Sequence, residues 1–164
     1  MLLGIMSDSH DHLENLAQAL QICKKRKVGH ILHCGDFVAP FVLKELNQAG
    51  IPVDGVFGNN DGDIYTMTRL SLTELTNVTL HSLLASLELD GCKIAMTHTP
   101  EVGIPLLQTE AFDLVCWGHT HFFDERDFNG HTGLNPGDIM GKEHKAGFCL
   151  FDTSSKEYEH ILLA

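Results

Sequence analysis

The sequence has little that would tie it to a membrane, a secretory route or a nucleic-acid backbone. It contains no run of about 18 apolar residues, so no segment is long enough to cross a bilayer as a helix. Its first residues, MLLGIMSDSHD, carry no basic stretch, and their apolar run is too short for a signal peptide. Basic residues are scarce: 11 Lys and Arg stand against 22 Asp and Glu, a formal net charge of −11. So acidic a chain lacks the positive footprint that grips phosphate backbones, which argues against a nuclease acting on long polynucleotides. The five cysteines, Cys23, Cys34, Cys92, Cys116 and Cys149, are odd in number and include no C-x-x-C pair. That argues against a disulfide framework and suits buried, reduced thiols in a cytoplasmic protein.

What is there suits a single domain spanning residues 1–164. A chain of that length buries about 70% of its unfolded surface and needs no cross-links to make a core. No repeat, linker or low-complexity segment interrupts it. In the first third, apolar runs alternate with helical spacing. LLGIM (2–6), HILHC (30–34) and VDGVF (53–57) read as buried strands. Between them, Leu13, Leu16, Ala17, Leu20 and Cys23 recur at helical spacing, ending in a basic cluster from Lys24 to Lys27. A second helix follows Pro40, with Phe41, Leu43 and Leu46 as its apolar positions, and stops at Gly50. Strand–helix alternation predicts parallel strands with helices packed on them. Residues 64–75 read as a further helix and 103–110 as a short one. The rest is strand-rich: 82–91, 92–98, 113–121, 122–130, 147–153 and 157–163, with Asp90-Gly91 and Asn129-Gly130 as turns. Two packed sheets with helices outside follow from this pattern.

The polar residues fall at strand ends. Asp8 and His10 follow the first strand, Asp36 the second, and Asn59 and Asp61 the third. His98 ends CKIAMTH, and His119 and His121 follow DLVCWG. Each has an ordinary role open to it. Asp8-Ser9-His10 could cap a helix, Gly35-Asp36 and GNND (58–61) could be turns, and His98 could be a satisfied polar residue. Together they form a pattern, because ligands of open α/β sheets bind at the carboxyl ends of the strands. Imidazole, carboxylate and amide oxygen without thiolate favour Mn²⁺, Fe²⁺, Co²⁺, Ni²⁺ or Zn²⁺. There are enough ligands for two ions, with Asp36 as the candidate bridge.

Asp8-x-His10, Gly35-Asp36, Gly58-Asn59-x-Asp61, His98 and Gly118-His119-x-His121 resemble the five blocks of the calcineurin-like metallophosphoesterases. With LNPGD (134–138), the short length and the SDSHD, HCGD and GHTH stretches, they are similar to the small YfcE-like phosphodiesterase branch. The resemblance implies a four-layer αββα sandwich of two mainly mixed sheets flanked by helices. It also implies a dinuclear centre that hydrolyses small phosphodiesters through a metal-bridging hydroxide. On that basis Asp8, His10, Asp36 and His121 would hold one ion, and Asp36, Asn59, His98 and His119 the other. Mn²⁺ is the expected metal, with Ni²⁺, Co²⁺, Fe²⁺ or Zn²⁺ compatible. Asp36, Asn59 and His119 are the expected catalytic residues, and Asn59, Asn60 and His98 the expected substrate contacts.

Three positions depart from the family. Asn60 stands where many members carry a histidine that protonates the leaving group, and an amide cannot give up that proton. Thr99 follows His98 in place of the usual glycine. Asp138 replaces the serine of NPGS and would repel an anionic substrate if it pointed inward. His12 is a candidate for the missing acid or an ordinary first-turn residue, and His33 reads as a core histidine. Two other functions remain open at this point, a phosphomonoesterase and a non-catalytic Vps29-like scaffold. Homo-oligomers are frequent in the branch.

Overall fold

The computed structural model describes all residues, 1–164. Six strands form the first sheet: β1 (Leu2–Met6), β2 (His30–His33), β3 (Val53–Gly55), β4 (Val78–Leu80), β10 (Gly147–Asp152) and β11 (Tyr158–Leu162). Their order is β11-β10-β1-β2-β3-β4. The second sheet holds β5 (Leu84–Leu89), β6 (Cys92–Thr97), β7 (Leu114–Cys116), β8 (Phe123–Phe128) and β9 (His131–Pro136), in the order β5-β6-β7-β9-β8. Both sheets are mixed. β1 to β4 run parallel, as do β6, β7 and β9, while β10, β11, β5 and β8 pair antiparallel.

Helices α1 (Leu13–Arg26), α2 (Pro40–Gln48) and α3 (Ile64–Thr73) cover the first sheet, and α4 (Pro100–Leu107) covers the second. Alternation along each strand divides the apolar residues between two interfaces. On β1, Met6 faces the helices while Leu3 and Ile5 face the other sheet. The inter-sheet core joins Leu3, Ile5, Leu32 and Val56 to Ile94, Met96, Leu114 and Leu134. All five cysteines are buried and free. The result is the expected αββα sandwich. No helix is long and apolar enough to cross a membrane.

Local chemistry sets the helix ends. The His12 ring accepts from the Asn15 N–H at 3.3 Å and caps α1, so the cap is His12 rather than the Asp8-Ser9-His10 stretch. Lys24, Lys25 and Arg26 occupy its last turn, where the dipole favours cations. α4 starts three residues earlier than its periodicity suggests, because Pro100 suits the first helical position. On α2 the buried residues are Val42, Leu43 and Leu46, and Phe41 points out at 45% exposure. The sequence did not mark β4 or β9 as strands, and DLVCWGHTH supplies only three strand residues. The histidines beyond Cys116 leave the ladder and turn into the site.

Candidate metal centre

The carboxyl ends of β1, β2 and β3 meet those of β6 and β7 along one edge of the sandwich. The loops leaving them are tightly folded. Asp8, His10, Asp36, His119 and His121 all have positive φ, at 52°, 40°, 58°, 71° and 64°. Non-glycine residues seldom adopt this region, and such outliers gather at functional sites because only dense surroundings sustain them. Those surroundings are visible. Asp8 N–H donates to the Gly35 carbonyl at 3.0 Å, His10 N–H to the Asp36 carbonyl at 3.1 Å, and Gly118 N–H to the His98 carbonyl at 2.8 Å. Asp61 ties two loops together by accepting from the N–H groups of Asp36 (3.2 Å), Val38 (2.7 Å) and Gly58 (2.7 Å). A Cβ on Gly58 would run into the Asp36 carboxylate, and one on Gly118 into Ser7 and Asp8, so both loops need glycine to approach.

Asp8, His10, Asp36 and His121 can each aim one ligand atom into a group spanning 4.8 Å. His121 Nε2 lies 3.4 Å from Asp8 Oδ1, and His10 Nε2 lies 3.3 Å from Asp36 Oδ2. Asp8 and Asp36 are 0% and 1% exposed, so two carboxylates are held away from water. Buried charge of one sign calls for a counter-charge. Asp8 Oδ1 and His10 Nε2 are buried with no hydrogen-bond partner, since the approach of His10 to Asp36 lacks hydrogen-bond alignment. Orphaned donor atoms converging on one point fit a cation. The Asp36 carboxylate first, and Asp8 second, push the His10 imidazole up to about 9.

Asp36 Oδ2 also lies 3.5 Å from His98 Nε2, on its other flank. There His98 Nε2 and His119 Nδ1 face the same amide oxygen, Asn59 Oδ1, at 3.0 and 2.8 Å. His98 Nδ1 donates to the Cys34 carbonyl at 2.7 Å. In a neutral ring Nε2 is then an acceptor facing another acceptor, a conflict that a proton on Nε2, a cation or a flipped Asn59 amide resolves. Burial works against a charged His98, but Asp36 and Asp8 outweigh it and raise its pKa. The seven sequence candidates thus lie in two adjoining groups, with Asp36 facing both.

The neighbouring residues are also placed. Asn60 turns onto Asp36, donating its backbone N–H to Oδ1 at 2.8 Å and its side-chain amide to Oδ2 at 2.7 Å. His12 is occupied as a helix cap. His33 is fully buried, stacked on Phe37 with centroids 4.0 Å apart, and accepts from the Gly35 N–H. Burial holds it neutral, with its pKa pushed down to about 3. Asp138 does point inward, but at a ligand candidate: its Oδ2 lies 3.1 Å from His121 Nδ1 and accepts from the Gly141 N–H at 3.1 Å. The sequence carried a signal for Asp61 in the GNND spacing. It carried none for the Asp138–His121 pair, which links the loops that follow β7 and β9.

The family model of the calcineurin-like phosphoesterase superfamily domain matches residues 1–156. Phosphodiesterase MJ0936 of Methanocaldococcus jannaschii is 32% identical over 99% of both chains. A solved archaeal phosphodiesterase, also 32% identical, superposes with a TM-score of 0.92 over 99% of this chain and 100% of its own. The E. coli phosphoesterase Yfce shares the fold at 18% identity, with a TM-score of 0.70 and full coverage of both chains. This chain belongs to the calcineurin-like phosphoesterase superfamily, a family of phosphoric ester hydrolases.

Proposed function

We propose that the chain is a single metallophosphoesterase domain, residues 1–164, that hydrolyses small phosphodiesters at a dinuclear centre. The observation that carries this is the position of Asp36, whose Oδ2 lies 3.3 Å from His10 Nε2 and 3.5 Å from His98 Nε2. Asp8, His10, Asp36 and His121 would hold one ion and Asp36, Asn59, His98 and His119 the other. The mixed oxygen and nitrogen donors suit Mn²⁺, with Ni²⁺, Co²⁺, Fe²⁺ or Zn²⁺ compatible. Two such ions would supply a nucleophile at neutral pH and neutralise phosphoryl charge. The 32% identity to a phosphodiesterase favours diesters over monoesters.

The chain's own residues do the positioning. Cys34 fixes the tautomer of His98, and Asp138 holds His121 through Nδ1 so that Nε2 faces Asp8. Asn59 lies between His98 and His119, where its amide can also orient a phosphoryl oxygen. Asn60 holds Asp36 in place through two hydrogen bonds but offers the leaving group no proton. Departure is therefore easiest for groups stable as anions. The five free cysteines suit a reducing, cytoplasmic setting.

Metal analysis of the purified protein, with turnover of bis(p-nitrophenyl) phosphate, tests this. Bound divalent metal and activity are expected, with Asp36→Ala losing both. A metal-loaded protein inactive on every activated diester would sink the proposal.

A further inference from the structure

Beside the candidate metal ligands lies a cavity of about 240 Å³. Asn59 and His98 form one wall, so it opens onto the centre that would hold the phosphoryl group. The other walls include Phe57, Leu83, Leu84 and Val102. No carboxylate, lysine or arginine lines it. The hydroxyl of Thr97, also in the lining, already donates to the Leu83 carbonyl at 3.0 Å. Leu83, Leu84 and Val102 remain 68%, 47% and 43% exposed. They come from two different elements, the start of β5 and the first turn of α4, yet they gather at one mouth. Apolar surface concentrated at a site, and not scattered singly, marks a place where something binds.

A separate observation narrows the occupant. Asn60 cannot protonate a departing alkoxide, so esters that release an intrinsically stable anion are cleaved most readily. Aryloxides meet that condition and carry an apolar ring. Simple alkoxides do neither. The cavity lies below the roughly 300–1,000 Å³ of sites for drug-sized ligands, which suits one ring system and not an oligomer.

We propose that this cavity is the subsite for a ring-sized apolar group of the ester, so that the substrate class is a phosphodiester bearing an aryl or similar flat ring. The assignment rests on the phosphodiesterase function proposed above. Calorimetric titration of the Mn²⁺-loaded protein with methylphosphonate and phenylphosphonate tests it, since the two ligands share an anionic head and differ by the ring. Phenylphosphonate is expected to bind about tenfold tighter or more, the order that burial of one ring supplies. The double variant Leu83→Gln/Val102→Asn, changed only at exposed side chains, is expected to lose that preference while its affinity for methylphosphonate stays within about twofold. Equal affinity in the wild type, or a preference that survives the double variant, overturns the subsite, and methylphosphonate binding then still supports the metal centre. A protein that takes up no metal and binds neither ligand overturns the subsite and the phosphodiesterase function together.

Discussion

At the scale of single residues, the two asparagines of GNND do different work. Asn59 faces His98 and His119, whereas Asn60 is folded onto Asp36. Asn60→His should speed cleavage of alkyl esters relative to aryl esters by up to about 10²-fold, since general acid catalysis is worth that or more. An unchanged alkyl-to-aryl ratio would remove Asn60 as the limit. Asp138→Asn should weaken metal affinity about 10–100-fold, as loss of a carboxylate behind a ligating histidine does, with thermal stability of the metal-free protein little changed. Wild-type metal affinity in that variant would leave Asp138 without a positioning role. His33 gives a pH signature. The fold keeps it neutral down to about pH 3, whereas the unfolded chain takes a proton near 6.5. The unfolded state binds more protons in that window, so stability is full above pH 6.5 and falls on acidification. Its share of the slope is on the order of 1 kcal/mol per pH unit. Urea unfolding of His33→Gln across that window should show a shallower slope than wild type.

At the scale of elements, the helices were legible and the strand count was not. α1 shows its basic end and most of its apolar stripe in the sequence: Leu16, Leu20 and Cys23 are buried as the period predicts, while Leu13 is exposed and Ala19, not Ala17, completes the buried face. α2 is shorter, and Phe41 looks like a core residue on hydrophobicity alone. Packing instead selects Val42, Leu43 and Leu46, one turn apart on the face toward the sheet. Leu43→Ala should cost about 2–5 kcal/mol and Phe41→Ala under about 1, read from denaturant midpoints. A costly Phe41→Ala would mean that another surface covers it. β4 has three residues and β9 has the sequence HTGLNP, so neither shows a usable alternation. Their pairing is set by β3 and β7, which is information from elsewhere in the chain.

At the scale of the whole molecule, strain and charge concentrate at one edge. Five candidate ligands hold positive φ, and Asp8 and Asp36 are buried there together. An ion that binds this edge only in the folded state stabilises the fold by mass action. The melting temperature should therefore rise with Mn²⁺ in the wild type and fall with a chelator, and Asp36→Asn should abolish the response. A wild type indifferent to both would argue against a metal at the strand ends.

The sequence by itself determined the residue types of the site and their order at strand ends. Ligand chemistry and period-two burial are local properties that a linear pattern carries. It also determined that no acid stands at position 60. The convergence belongs to the tertiary structure. β10 crosses back to pair with β1, and only the stacking of two sheets brings Asp8 within reach of His121, 113 positions on. Side-chain direction was decided there too. Asp138 turns to His121, Asn60 turns to Asp36, and Leu83, Leu84 and Val102 meet around one cavity. Each of these depends on which distant backbone arrives alongside, and no local pattern encodes that.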